Sequence, residues 1–269
     1  MKAKRAFATV YLIAVSFFLL FPIIITCIFS FATSWTKILP NGWTMDYYYQ
    51  VIGEPNFWPS VGRGLLISII PVFISGLIII LTMYTSVLYY PWVDKIVQAI
   101  CMLPHTLKGV ILALAVLSMY VGSPTVLSNR ILMLTMVYCV AILPYVYQGI
   151  RNNLDAINVH NLVEAAMILG SSKMYAFFKV IIPNMITGIM VSALLGMSTL
   201  FADFAIVKIL AGSKYLTAQQ LLYNSRSMPG QLVSVIVLIL FLIVLLISAG
   251  AFLIQNIGKK DADKAVVED

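Results

Sequence analysis

Of 269 residues, 61% are hydrophobic and only 10% charged, far from the roughly even apolar and one-quarter charged mixture of a soluble domain, so a water-soluble globular fold is excluded. The net charge of +7 does not indicate nucleic acid, because the lysines and arginines are scattered between apolar blocks and make no basic face interleaved with aromatics. Cys27, Cys101 and Cys139 stand inside apolar blocks without paired spacing, which points to buried packing and to no metal site.

In chain order, Lys2, Lys4 and Arg5 precede the apolar run Phe7–Ala32. That run exceeds the roughly 18 residues that mark a membrane-crossing helix, and no small-residue cleavage site follows it. A retained first span acting as its own insertion signal is expected. Further blocks fall at Val61–Leu88, Ile96–Val121, Ile131–Ile150, Met185–Ile206 and Leu232–Ile254. About six spans result, and at this length only helices satisfy every backbone donor and acceptor in lipid, so the fold class is an all-α membrane bundle. With no internal repeat and no separate soluble domain, 1–269 reads as a single transmembrane domain.

An even number of spans puts both termini on one side, and the distribution of lysine and arginine places that side in the cytoplasm. On this topology the inside holds Lys2, Lys4, Arg5, Lys95, Arg151, Lys173, Lys179, Lys259, Lys260 and Lys264, and the outside Lys37, Arg63, Arg130, Lys208, Lys214 and Arg226. Trp35 and Trp58 then lie at outer boundaries and Trp92 at an inner one, where indoles prefer to sit. Two connections are longer than a bundle needs. The outer one, Thr33–Phe57, is rich in Trp, Tyr, Pro and Gly, and the inner one, Arg151–Pro183, is amphipathic and reads as helical.

Ionisable groups inside spans are costly and usually face a cavity or a partner. In the third block, Pro104 is expected to break the helix, and His105 and Lys108 follow it, making this stretch a candidate lining of a solute path. The competing reading has His105 bonded to a neighbouring carbonyl and Lys108 reaching water on its long stem. Asp203, towards the outer end of the fifth block, is suited to meeting a cation. It is equally suited to capping the Leu216–Ser227 segment or pairing with Lys208. In the same block Gly188, Ser192 and Gly196 recur every four residues, a stripe that permits close helix contact within the bundle or across a subunit seam. On the outside, Tyr47–Tyr49 and Tyr215–Met228 are candidates to receive a solute-binding protein, with loop packing as the alternative.

The most informative stretch is LVEAAMILGSSKMYAFFKVIIPN, from Leu162. Ala165 and Ala166 permit close approach of another surface to a short helix, Gly170 permits a sharp turn, and Pro183 is tolerated in the first turn of the next helix. This segment resembles the EAA loop of type I ABC importer permeases: EAA, three residues, G, nine residues, I-x-L-P. Glu164, Ala165, Ala166, Gly170 and Pro183 match, while Val180 and Ile182 replace the Ile and Leu. The resemblance implies a MetI-like permease in a bacterial cytoplasmic membrane, with the loop at about 151–183 as a coupling helix that docks on an ATP-hydrolysing subunit and Glu164 pairing with a basic residue there. It also implies two ATP-binding subunits, a second permease such as a paralogue, and an extracytoplasmic binding protein. The chain has no GxxxxGK[ST] loop, so ATP is expected on the partners, with no catalytic residue and no cofactor here.

More loosely, the stretches FSFATSWTKILPNGWT, LPHTLKGVILALAVLSMY and FADFAIVKILAG resemble the permease branch serving polyamines, ferric iron and 2-aminoethylphosphonate. Rival classes have fewer marks. A secondary transporter calls for paired repeats and acidic residues at the midplane, and an intramembrane enzyme for a convergent catalytic set such as HExxH or GxSxG. A non-transporting assembly subunit is the remaining alternative.

Overall fold

The structure is a computed structural model that describes residues 2–35, 40–106, 109–122, 128–157 and 159–267. The described residues are almost wholly helical, with a lone antiparallel bridge between Ala32 and Trp43. Helices α1 (Lys2–Phe31), α3 (Phe57–Leu88), α6 (Arg130–Ala156) and α12 (Gly230–Val267) each contain a stretch long and apolar enough to cross a membrane, as does the continuous run Lys173–Phe201. α4 (Pro91–Thr106) and α5 (Gly109–Tyr120), whose axes differ by 87°, are long and apolar enough only as a pair. About six spans is therefore the observed number when this bent pair counts as one. The bend follows closely on Pro104, which has no N–H to give to Ile100 and crowds that carbonyl.

By contact the chain divides into two compact units. The first comprises Met1–Ser60 and Leu221–Ile243. It contains α1, the connection after it with its short helix α2 (Asp46–Gly53), and the opening turns of α12. The Ser30 hydroxyl lies 2.8 Å from that of Tyr48, whose ring stacks on Phe31 with centroids 5.0 Å apart, and the Tyr47 hydroxyl donates to the Thr33 carbonyl at 3.2 Å. These tyrosines thus hold their own loop, whereas Tyr49 is exposed. Cys27 is exposed on α1, so the expectation of buried packing fails for it: this stretch of α1 has few neighbours within the chain. Cys101 is buried and Cys139 half-buried.

The second unit, Val61–Gln220 with Val244–Asp269, holds the main core. One face of α6, carrying Leu134, Tyr138, Ile142, Val146 and Ile150 at four-residue spacing, is buried in it. In lipid, helices associate through close packing more than through the hydrophobic effect, and small residues provide that closeness. The stripe on α9 (Ile182–Phe201) does this within the chain. A Cβ on Gly188 would overlap Asn153 of α6, and one on Gly196 would lie 3.1 Å from Ile142.

The fifth span starts earlier than the expectation of a helix beginning at Pro183. Helix α8 (Lys173–Ala176) passes through a π turn, Phe177–Ile181, directly into α9. Pro183 offers no N–H to Lys179 and its ring would strike that carbonyl. Widening the preceding turn, so that the Ile182 amide reaches back to the Phe177 carbonyl, accommodates it.

Candidate functional site

The connection after α6 is built from α7 (Val159–Ile168) and α8. Val159 and Val163 belong to the core alongside Phe177 and Ile181 of the π turn, so α7 is anchored on one side. Its end is a Schellman closure. The Gly170 amide donates to the Met167 carbonyl at 2.9 Å and the Ser171 amide to the Ala166 carbonyl at 3.0 Å, with Gly170 at φ +84°. The Ser172 hydroxyl then accepts from the Tyr175 amide at 3.2 Å, capping α8. One helix stops and another starts within four residues, and the stop requires the left-handed conformation that glycine adopts freely.

Glu164 and Ala165 lie on the exposed face of α7, while Ala166 is turned inward. Beyond the EAA residues, Ile168 and Leu169 are 86% and 85% exposed, a pair of large aliphatic side chains at the tip of a polar connection. Hydropathy does not distinguish them from core residues. Only their position at the helix end, opposite Val159 and Val163, could have marked them.

α8 is tied back to the end of α3. The Lys173 ammonium donates to the Leu88 carbonyl at 3.5 Å and sits 5.3 Å from the Tyr89 ring centroid. Tyr84 meets Phe177 at 5.1 Å and Phe178 at 5.9 Å, so the π turn rests against aromatic rings of α3. Nearby, Asp94 in the first turn of α4 receives the Arg151 guanidinium and, at 3.1 Å, the Tyr147 hydroxyl. Arg151 also reaches Asp155 at 3.2 Å. A carboxylate at a helix start is favourably placed, and here it binds α4 to α6.

Towards the other end of α6, the Tyr138 hydroxyl donates to Asp203 at 2.9 Å, and the same carboxylate oxygen accepts the Ile206 amide at 3.0 Å. Asp203 thus caps α10 (Ala205–Leu210), not the Leu216–Ser227 segment that was one of its expected roles. Burial pushes its carboxyl up from the ordinary value, while the hydrogen bonds from Tyr138 and the first amides of α10 pull it back down. A cavity of about 370 Å³ is lined by Asp203, Thr199, Tyr145 and Pro104, bringing two of the stretches singled out in the sequence onto one wall. Lys108 and the side chain of His105 lie outside the described residues. Arg130 and Arg63, read as outer cations, donate to the Leu210 and Leu216 carbonyls at 3.2 and 3.4 Å, the former at the C-terminal end of α10.

Against known proteins, residues 65–260 match the family described as binding-protein-dependent transport system inner membrane component. The chain is also 22% identical over 247 residues to the spermidine/putrescine transport system permease protein PotC homolog of Mycoplasma pneumoniae, an alignment that covers 86% of each chain.

Proposed function

Because the chain belongs to the family of binding-protein-dependent transport system inner membrane components, the permeases of type I ABC importers, we propose that it forms one half of the solute path of a bacterial ATP-driven importer for polyamines. It is a multi-pass membrane protein and a permease component, not itself an enzyme. In this reading it sits in the cytoplasmic membrane with both termini inside. It faces a second, paralogous permease, takes solute from an extracytoplasmic binding protein, and is driven by two subunits that bind the ATP.

The observation that carries the coupling role is the exposed edge of α7. Glu164 stands beside Ile168 and Leu169, and large apolar groups left this open mark a contact with another protein. Glu164, Ala165 and the Gly170 turn form the docking surface for an ATPase subunit, and Pro183 sets the hinge behind it. The cargo assignment is supported by the relative's name and by Asp203 in the wall of its cavity, a group suited to an amine-bearing cation. Ferric iron and an organophosphonate are the other cargoes of the branch the sequence resembles.

The test is uptake of labelled putrescine, spermidine, ferric iron and 2-aminoethylphosphonate in cells lacking the chain, complemented with wild type or with Glu164→Lys. Polyamine uptake should depend on the chain and be lost in the variant. Dependence of another label instead would reassign the cargo. Undiminished uptake with Glu164→Lys would overturn the coupling role and favour an assembly subunit.

A further inference from the structure

We infer that the exposed face of α6 is the wall along which the solute moves, an uncharged polar tract running between two carboxylate-bearing ends. This deepens the importer reading and rests on it. Ala141, Tyr145, Gln148, Asn152 and Asp155 are spaced four, three, four and three residues apart, so they share one side of the helix. From Ala141 to Asp155 that side covers about 21 Å, against roughly 30 Å for the hydrocarbon core.

Three cavities follow the tract. The Asp203 cavity shares Tyr145 with a larger one of about 700 Å³ between α6, α9 and the later part of α12. That one shares Gln148 and Asn152 with a third, of about 420 Å³, which contains Asp94 and Asp155. In the middle cavity Asn152, Thr187 and Gln255, each on a membrane-crossing helix, have no hydrogen-bond partner among the described residues. Gln148 meets only the Met102 sulfur, at 3.7 Å. Unpartnered polar side chains are costly away from water, so this face is built for water and a polar solute.

The charges say which solute. Among the described residues lining the three cavities, the one cationic side chain is Arg151, which is held by Asp94 and Asp155. The remaining polar side chains carry amide or hydroxyl groups, with carboxylates at each end. A linear amine-bearing cation can exchange hydration for such acceptors step by step, whereas an anion finds no free positive charge.

The assembled importer tests this, with Cys27, Cys101 and Cys139 replaced and Asn152→Cys or Val140→Cys introduced. Val140 is an exposed apolar position on the same helix and outside the three cavities. A cationic, membrane-impermeant methanethiosulfonate should label position 152 at least about tenfold faster than position 140, and faster than its anionic counterpart does. Saturating spermidine should slow that labelling. Equal rates at the two positions would overturn the tract. Fast labelling that spermidine leaves unchanged would make this face a water-filled seam with the second permease and overturn the solute path. Equal rates for both reagents would overturn the charge selection. In each of these cases ATP-dependent uptake that still requires the chain would leave the importer reading standing, whereas loss of that requirement would remove the reading itself.

Discussion

The backbones of Gly149 in α6 and Ser192 in α9 approach so closely that a Cβ added to the glycine would overlap the Cβ of the serine. The Ser192 hydroxyl is satisfied within its own helix by the Gly188 carbonyl at 2.9 Å, so it asks nothing of α6 and the contact is one of shape alone. Gly149→Ala should therefore force the helices apart and lower stability by about 1–3 kcal/mol, as overpacking does. Ser192→Gly introduced into that variant should restore much of the loss. Thermal unfolding of the detergent-solubilised complex measures both, and absence of rescue would mean that the overlap is relieved elsewhere.

Gly170→Ala isolates the turn between α7 and α8. No atom stands within 4 Å of where its Cβ would be, so the cost is the left-handed backbone alone, about 1–2 kcal/mol. Asparagine tolerates that conformation better than alanine. Transport-coupled ATP hydrolysis should fall in the order Gly170, Asn, Ala, while the melting temperature of the membrane domain hardly moves. A fall in melting temperature equal to that of Gly149→Ala would contradict a local effect.

Pro183→Ala removes the cause of the π turn. The fifth span can then regain regular i→i+4 bonding between Phe177 and Ile182, which rotates α8 relative to α9 and draws Phe177 and Phe178 off Tyr84. Stability should be unchanged or higher and coupled transport lower. Uptake at the wild-type rate would show that the wide turn is dispensable.

Asp203 gives a pH dependence. A carboxyl raised above its unfolded value stabilises the fold below the unfolded pKa, and that contribution is lost as pH rises through the folded one. Asp203→Asn, which removes the buried charge and keeps an acceptor for the Tyr138 hydroxyl and the Ile206 amide, should thus not lower the melting temperature at neutral pH. Cation uptake should fall in Asp203→Asn. In wild type, acidification should suppress it from a higher pH than an ordinary carboxylate at about 3.9 would allow. An uptake profile identical in wild type and variant would remove Asp203 from the path.

The spans were legible because twenty-odd apolar residues in a row have one stable outcome in lipid, and the break after Pro104 because a proline followed by His105 and Lys108 interrupts its apolar block. The EAA spacing was legible in the same way, as fixed distances between residues of special backbone behaviour. What escaped was tertiary. Tyr138 lies far from Asp203 in sequence, so the hydrogen bond between them leaves no local trace. The early start of the fifth span escaped because Pro183 reads as a helix beginner, and only the π turn shows how a helix passes through it. The polar side of α6 was hidden by averaging, since a window that finds a span dilutes Gln148 and Asn152 among their apolar neighbours.

The most apolar stretch of α1 has no buried residue, while α6 is the least apolar of the unbroken spans and packs closely on α9. That contrast gives the two spans different needs during synthesis. α1 can leave the translocon for lipid as soon as it is made. α6, whose backbone meets that of α9 at Gly149 and Ser192, finds its closest packing only once α9 has been translated, so this contact of the finished fold also bears on the order in which the spans can pair.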